Sequence, residues 1–256
     1  MLASLKKALF EAVKQTIGKE TSLAIAFSGG LDSSLLAKIC KDIGIQVTLL
    51  TIGFPTSHDI KFSTEIASEM NLPYKVLVLN EEGFHEDLNY IKDKICCNIV
   101  SHIENCVAFF YIARLAHDNG FRFILTANGC DEIFCGYDKY RLAYNQGKTA
   151  LTKLIDKKIE NELLLMEQID SVASEFGVTI RQPFLSHDFI SFAKNIPLEQ
   201  KIRGSNDFVR KHILRDVALL IGIPYQSAMK RKKALQYSSL IHKNSSKCSK
   251  DRTLHA

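Results

Sequence analysis

Residues Leu23-Ala24-Ile25-Ala26-Phe27 form an apolar run that breaks abruptly into Ser28-Gly29-Gly30-Leu31-Asp32-Ser33-Ser34 and then opens an amphipathic helical pattern. Such an order constrains the fold to a strand buried on both faces, a tight turn and a helix. With no Cβ at Gly29 and Gly30, backbone N–H groups can converge on one anion, and the helix start adds unpaired donors and a positive dipole end. Ser28, Ser33 and Ser34 add hydroxyl donors. The pattern reads as a phosphate-binding turn, without the lysine of the G-x-x-x-x-G-K-[ST] loop. Asp32 sets a carboxylate beside the phosphates, which requires a divalent cation between them.

Strand-like and helical runs alternate through the first half: strands over 23–27, 47–52, 75–79 and 122–126, helices over 33–43, 60–70 and 104–119. That alternation predicts an α/β fold, a doubly wound parallel sheet covered on both faces. Ligands of such sheets bind beyond the carboxyl ends of the strands, where Ser28, Ile52 and Thr126 emerge. From Lys139 onward strand signals nearly vanish. Ile159, Leu163, Met166, Ile169 and Ala173 mark one helical face that Gly177 terminates, and a second helix is expected over 207–221, ended by Gly222 and Pro224. The expected organisation is an N-terminal helix over 1–20, one domain over 21–240 with a helical C-terminal half packed on the sheet, and a disordered tail over 241–256.

With 256 residues, 46% of them hydrophobic and 24% charged, the chain can bury a substantial core. No apolar run reaches the roughly 18 residues of a membrane helix, and 1–20 mixes lysine and glutamate with apolar residues unlike a signal peptide. A cytoplasmic location is therefore expected. The net charge of +5 is modest and gathers near Lys230-Arg231-Lys232-Lys233 and the tail, so it argues only weakly for a nucleic-acid partner. Seven cysteines include no C-x-x-C pair, and the eight histidines are scattered without an i, i+4 metal pair on one helix.

A second corner follows the strand over 122–126: Asn128-Gly129-Cys130-Asp131-Glu132-Ile133-Phe134-Cys135-Gly136-Tyr137. Alone, Asp131 is an N-terminal charge that complements a helix dipole. Opposite Asp32 it becomes half of a carboxylate pair able to share magnesium with a triphosphate. Tyr137 and Phe134 have the spacing of a half-buried helical face rather than of an adenine-stacking pair.

The Ser-Gly-Gly-Leu-Asp-Ser-Ser loop resembles the pyrophosphate loop (PP-loop) of ATP pyrophosphatases, whose adenine nucleotide α-hydrolase-like fold is the expected one. Together with the 128–137 corner, Arg181-Gln182-Pro183-Phe184-Leu185, Lys211-His212-Ile213-Leu214-Arg215 and Arg231-Lys232-Lys233-Ala234-Leu235-Gln236-Tyr237, it resembles the synthetase domain of asparagine synthetases, shared with β-lactam synthetases. The resemblance implies that Ser28, Gly29, Gly30, Asp32 and Ser33 hold the pyrophosphate part of ATP. It also implies that Phe27, Ile52, Thr126 and the adjoining Ala127 contact the adenosine and that Asp32 and Asp131 bind Mg2+. Lys233, rather than its neighbour Lys232, matches a lysine that steadies phosphate and acyl charge. The implied reaction is carboxylate adenylation followed by attack of an amine.

Two departures affect the acyl half. Asparagine synthetases usually carry Ser-Gly-Glu-Gly where this chain reads Thr126-Ala127-Asn128-Gly129, and Asn128 cannot take the proton assigned to that glutamate; Glu104, Tyr137 or water are the expected substitutes. Ser186 stands in place of an aspartate, and Val100 in place of a substrate arginine. The phosphate loop also follows Met1 almost at once, so a chain without its own glutaminase domain is expected. Ammonia is then expected from solution or a separate glutaminase subunit, unless another amine is used. Aspartate is the first carboxylate to consider, with a lactam-forming or other amide ligase as the alternative. A tRNA-modifying enzyme or a nonenzymatic ATP-binding protein are further readings, the former disfavoured because Cys130/Cys135 and Cys96/Cys97 are poorly spaced for a disulfide relay.

Overall fold

The computed structural model describes residues 1–231 and 235–246; Lys232, Lys233 and the residues after 246 lie outside the described residues. In chain order, α1 (Leu2–Ile17), β1 (Ser22–Ala26), α2 (Leu31–Asp42), β2 (Gln46–Gly53), α3 (His58–Glu69), β3 (Tyr74–Val78), α4 (Phe84–Ile95), α5 (Val100–Asp118) and β4 (Phe123–Leu125) build the alternating half. There follow α6 (Cys130–Ile133), α7 (Lys139–Tyr144), α8 (Lys148–Ala173), β5 (Thr179–Arg181), α9 (His187–Lys194), α10 (His212–Leu220), α11 (Tyr225–Met229) and α12 (Leu235–Ser238).

The five strands form one parallel sheet in the order β3-β2-β1-β4-β5. Successive residues of a strand face opposite sides, and both sides are apolar here because both are covered. Leu23, Ile25, Val47, Leu49, Phe123 and Leu125 join the core under α1, α2 and α9, while Ala24, Leu50, Ile52 and Ile124 join the core under α5 and α8. The fold is thus doubly wound, with a helical C-terminal half.

This strand order sets the site. From β1 the chain winds outward through β2 to β3, then returns to lay β4 on the other side of β1. The crossover of direction between β1 and β4 leaves a crevice at their carboxyl ends. The register pairs Ile25 with Leu125, so the loops after Ala26 and after Leu125 leave the sheet side by side.

Three expectations need correction. Residues 207–211 are not helical, because the Asp207 carboxylate accepts the N–H groups of Val209 and Arg210 at 3.0 and 2.9 Å and folds them into a turn; α10 starts only at His212. Leu163 is exposed, whereas Leu165 is buried in its stead, so the buried stripe of α8 is shifted around the helix. Residues 241–246, assigned to a disordered tail, are helical, with Ile241 fully buried and His242 Nδ1 2.8 Å from the Glu104 carboxylate. The strand β5 was also not expected; it is three residues long and sits at the sheet edge. Among the described residues, no single helix is long and apolar enough to cross a membrane.

One buried cation lies outside the crevice. Lys201, 1% exposed, donates to Ala193 O at 2.7 Å beside the Phe134 ring, and burial lowers its pKa from 10.5 to about 8. Between those values the unfolded chain holds a proton that the folded chain has released, so stability rises with pH through that window. Denaturant titrations of wild type and Lys201→Met should therefore show wild type gaining stability relative to the variant from pH 8 to pH 10.5; parallel curves would exclude the buried cation.

Candidate active site

The chain leaves β1 through Phe27 and Ser28, turns at Gly29 (φ 68°) and starts α2 behind Gly30. The turn leans on α3: a Cβ at Gly29 would meet Phe62 Cδ1 at 3.0 Å and Ser63 Cα at 3.1 Å. Hydroxyls line the inside of the loop. The N–H of Ser28 donates to Ser33 Oγ at 3.3 Å, the N–H of Gly30 to Ser28 Oγ at 3.4 Å, and Thr51 Oγ1 donates to Phe27 O at 2.5 Å. The two long bonds within the loop, from the Ser28 and Gly30 N–H groups, leave those donors able to turn to an anion at a helix N-terminus. Ser34 does not belong to this set: its fully buried hydroxyl accepts from Ser227 Oγ at 2.8 Å, on the side facing α11.

Asp32, in the first turn of α2, and Asp131, in the first turn of α6, converge on the ammonium of Lys211. Nζ lies 2.5 Å from Asp32 Oδ2 and 2.7 Å from Asp131 Oδ1, with all three side chains at least mostly buried. The other Asp32 oxygen, Oδ1, is buried with no hydrogen-bond donor. Lys211 reaches this point because Arg210 and Lys211 both take left-handed backbone angles, φ 51° and 54°. Such conformations cost about 1–2 kcal/mol each and persist only where neighbours over-determine them. Arg210 donates twice to Gly136 O, at 3.2 and 3.0 Å, and once to Asp138 at 2.8 Å. Arg215 clasps the carbonyls of Val209, Arg210 and Ala228. Burial opposes ionisation of Asp207, yet the N–H groups of Arg210 and Arg203 and the His212 ring together hold its pKa at about 2. Gly136 completes the packing, since a Cβ there would overlap the Asp131 carboxylate and Lys211 Cε.

The neighbouring corner is built on Asn128. Its Oδ1 accepts from the Thr126 hydroxyl, and its Nδ2 donates to Glu162 Oε1 on α8 at 2.6 Å. Glu132, 2% exposed, accepts from Tyr137 OH at 2.5 Å; burial, then the charges of Glu162 and Asp131, push its carboxyl pKa upward. Both corners open into one cavity of about 610 Å3. That volume suits a nucleotide-sized ligand.

Of the residues selected from sequence, Phe27, Ser28, Gly30, Asp32, Ser33 and Ile52 line this cavity from the β1 and β2 side, and Thr126, Ala127, Asn128 and Asp131 from the β4 side. Gly29 faces α3 instead, and Lys233 lies outside the described residues. Glu104 is not at the cavity but buried against His242. Tyr137 does line it, with its hydroxyl turned to Glu132. Phe134 is a core residue, as its spacing suggested. Ser186 stands at the N-cap position of α9, but its buried hydroxyl makes no capping bond, and Val100 begins α5 on the surface. Burial pushes the Cys130 thiol upward and that of Cys135 up to about 12, which removes both as nucleophiles at neutral pH. Lys211, Arg215, Glu132 and Glu162 were missed as site residues; Lys211 and Arg215 lie in a segment already singled out, but nothing local to Glu162 distinguishes it from the other acids of α8.

No three His, Cys, Asp or Glu side chains among the described residues are grouped to hold a metal by themselves. The donor set nevertheless suits magnesium, which is commonly held by one or two carboxylates plus substrate phosphates and water; the unpartnered Asp32 oxygen is such a ligand atom.

The asparagine synthase family model matches residues 4–170 and 156–248. The chain is 28% identical over 266 residues to a putative glutamine-hydrolysing asparagine synthetase of Methanocaldococcus jannaschii, covering 92% of this chain and 49% of that protein. It is 26% identical over 234 residues to asparagine synthetase B of Escherichia coli, covering 83% and 40% respectively. The chain therefore spans half or less of the length of these relatives. An NH3-dependent NAD synthetase structure from Campylobacter jejuni aligns with a TM-score of 0.39 at 18% identity, over 76% of this chain and 93% of that one.

Two outcomes test the geometry of the carboxylate corner. Gly136→Ala should cost about 1–3 kcal/mol of stability in urea titrations, because the added methyl displaces a buried ion pair. The stabilisation from Asp207 is complete above its unfolded value of 3.8 and is lost as pH falls through about 2. Asp207→Asn should flatten the stability curve across that interval.

Proposed function

The chain belongs to the asparagine synthase family, and from that premise we propose that it is an ATP-dependent, AMP-forming amide ligase that adenylates a carboxylate, aspartate first among candidates, and transfers the acyl group to ammonia. The observation that supports this reading most is the convergence of Asp32 and Asp131 beside the Ser28–Ser33 turn, in the lining of a nucleotide-sized cavity.

In this reading Phe27, Ile52, Thr126 and Ala127 contact the adenosine, and the N–H and hydroxyl groups of Ser28, Gly29, Gly30 and Ser33 hold the β- and γ-phosphates. Asp32 and Asp131 hold Mg2+, which supplies charge neutralisation for the departing pyrophosphate. Lys211 and Arg215 add fixed positive charge to the same wall. A substrate carboxylate oxygen attacks the α-phosphorus, the bond to pyrophosphate breaks, and the resulting acyl-adenylate is attacked by nitrogen. Positioning and preorganised charge supply most of the first step. Lys233 is proposed to steady the acyl and phosphate charge; Arg231 and Leu235, the described residues on either side of its segment, both line the cavity. Ammonia is proposed to come from solution or from a separate glutaminase.

A second reading keeps the adenylation and changes the acyl substrate. It is favoured by the α5–α8 wall, where Ile99, Phe109, Ile112, Leu164 and Leu165 offer apolar contact.

Incubation with ATP, Mg2+, aspartate and ammonium, followed by quantification of AMP and pyrophosphate and mass analysis of the amide, tests both. Aspartate-dependent AMP with asparagine is the expected result. AMP formed only with other carboxylates would establish the second reading, and no AMP with any carboxylate would refute the ligase assignment. Asp32→Asn and Asp131→Asn should each lower AMP formation by about 100-fold or more.

A further inference from the structure

Amide formation from an acyl-adenylate sheds a proton from nitrogen, and an amide side chain cannot receive it. Asn128 stands where the strand β4 delivers the chain into the cavity, and both ends of its amide are committed. Oδ1 accepts the Thr126 hydroxyl, which leaves Nδ2 as the donor, and that donor is aimed at Glu162 Oε1, 2.6 Å away. Glu162 reaches the cavity because Lys158, Asn161, Glu162 and Leu165 recur at helical spacing along one face of α8, and all four line it. The carboxylate is half-buried beside the cavity rather than free on the helix surface.

From this placement we infer that Glu162 is the proton acceptor of the amide-forming step and that Asn128 is a positioning residue that holds it. The inference rests on the amide-ligase reading and deepens it. Nitrogen donates its lone pair to the acyl carbonyl carbon, forming the C–N bond. The proton released by nitrogen passes to a carboxylate oxygen of Glu162. The carbonyl–phosphate C–O bond then breaks, and AMP leaves with its electron pair. Adenylation, which transfers no proton from a nucleophile, makes no demand on Glu162.

The test separates the two half-reactions in the full-length chain, with aspartate as acyl substrate or the carboxylate found to support AMP formation. Glu162→Gln keeps the side-chain shape and should retain carboxylate-dependent exchange of labelled pyrophosphate into ATP within about threefold, while ammonium-dependent amide formation falls by about 100-fold or more. Hydroxylamine, whose attack gives an adduct acidic enough to lose its proton to water, should still give hydroxamate with this variant. The double variant Asn128→Glu/Glu162→Gln moves the carboxylate to the other end of the same hydrogen bond, and should recover at least about tenfold of the lost ammonium-dependent rate. An ammonium-dependent rate within threefold of wild type in Glu162→Gln would overturn the proposal. So would equal losses of exchange, hydroxamate and amide, which would mark Glu162 as structural. A wild-type chain that shows no exchange with any carboxylate overturns the ligase reading itself, and this one with it.

Discussion

Three buried charges, Asp32, Lys211 and Asp131, meet at one point, and much of the C-terminal half is arranged around keeping them there. Moving charges out of water costs several kcal/mol per ion unless close partners offset it. Two carboxylates alone at this distance would repel, and the ammonium between them makes the approach tolerable. The cost is met locally by hydrogen bonds that fix the lysine: the Asp207 turn, the Arg210 contacts to Gly136 O, and the Arg215 clasp on three carbonyls. A left-handed backbone at two successive non-glycine residues is the visible strain that this arrangement stores.

The same constraint explains the division of the cavity. On the β1 side, polar groups come from backbone and short hydroxyls, which fit an anion and depend little on neighbouring helices. On the β4 side, Thr126, Asn128 and Asp131 again come from one contiguous segment, but the acid that Asn128 meets, Glu162, is a long side chain brought from α8. A site of the first kind is specified by a contiguous motif. A site of the second kind is specified by how helices pack, and it can change its chemistry through one substitution on a distant helix.

This difference accounts for what is legible in the sequence. The strand-turn-helix at Leu23–Ser34 and the corner after β4 were readable because each is local: glycine placement, hydroxyls and apolar runs act over a few residues. Asp32 and Asp131 could be paired on paper only because a parallel sheet sends successive strand ends to one edge. By contrast, 207–221 carries a helical apolar pattern throughout, yet a single carboxylate capturing two N–H groups holds its first turn out of the helix. The polar composition of 241–246 suggested disorder, but one buried isoleucine and the Glu104–His242 contact dock the segment.

What the sequence determined by itself was the class of fold, the glycine- and serine-lined turn between β1 and α2, and the two aspartates at helix starts, because these follow from side-chain period, glycine conformational freedom and charge at helix starts. What only the tertiary structure decided was which cation stands between the aspartates and which acid stands beside Asn128. Lys211 lies 179 residues from Asp32, and Glu162 lies 34 residues from Asn128 on another element. No local rule links such pairs; they meet because a sheet order and a helix rotation place them within hydrogen-bond distance, and contacts of that range exist only once the core has packed.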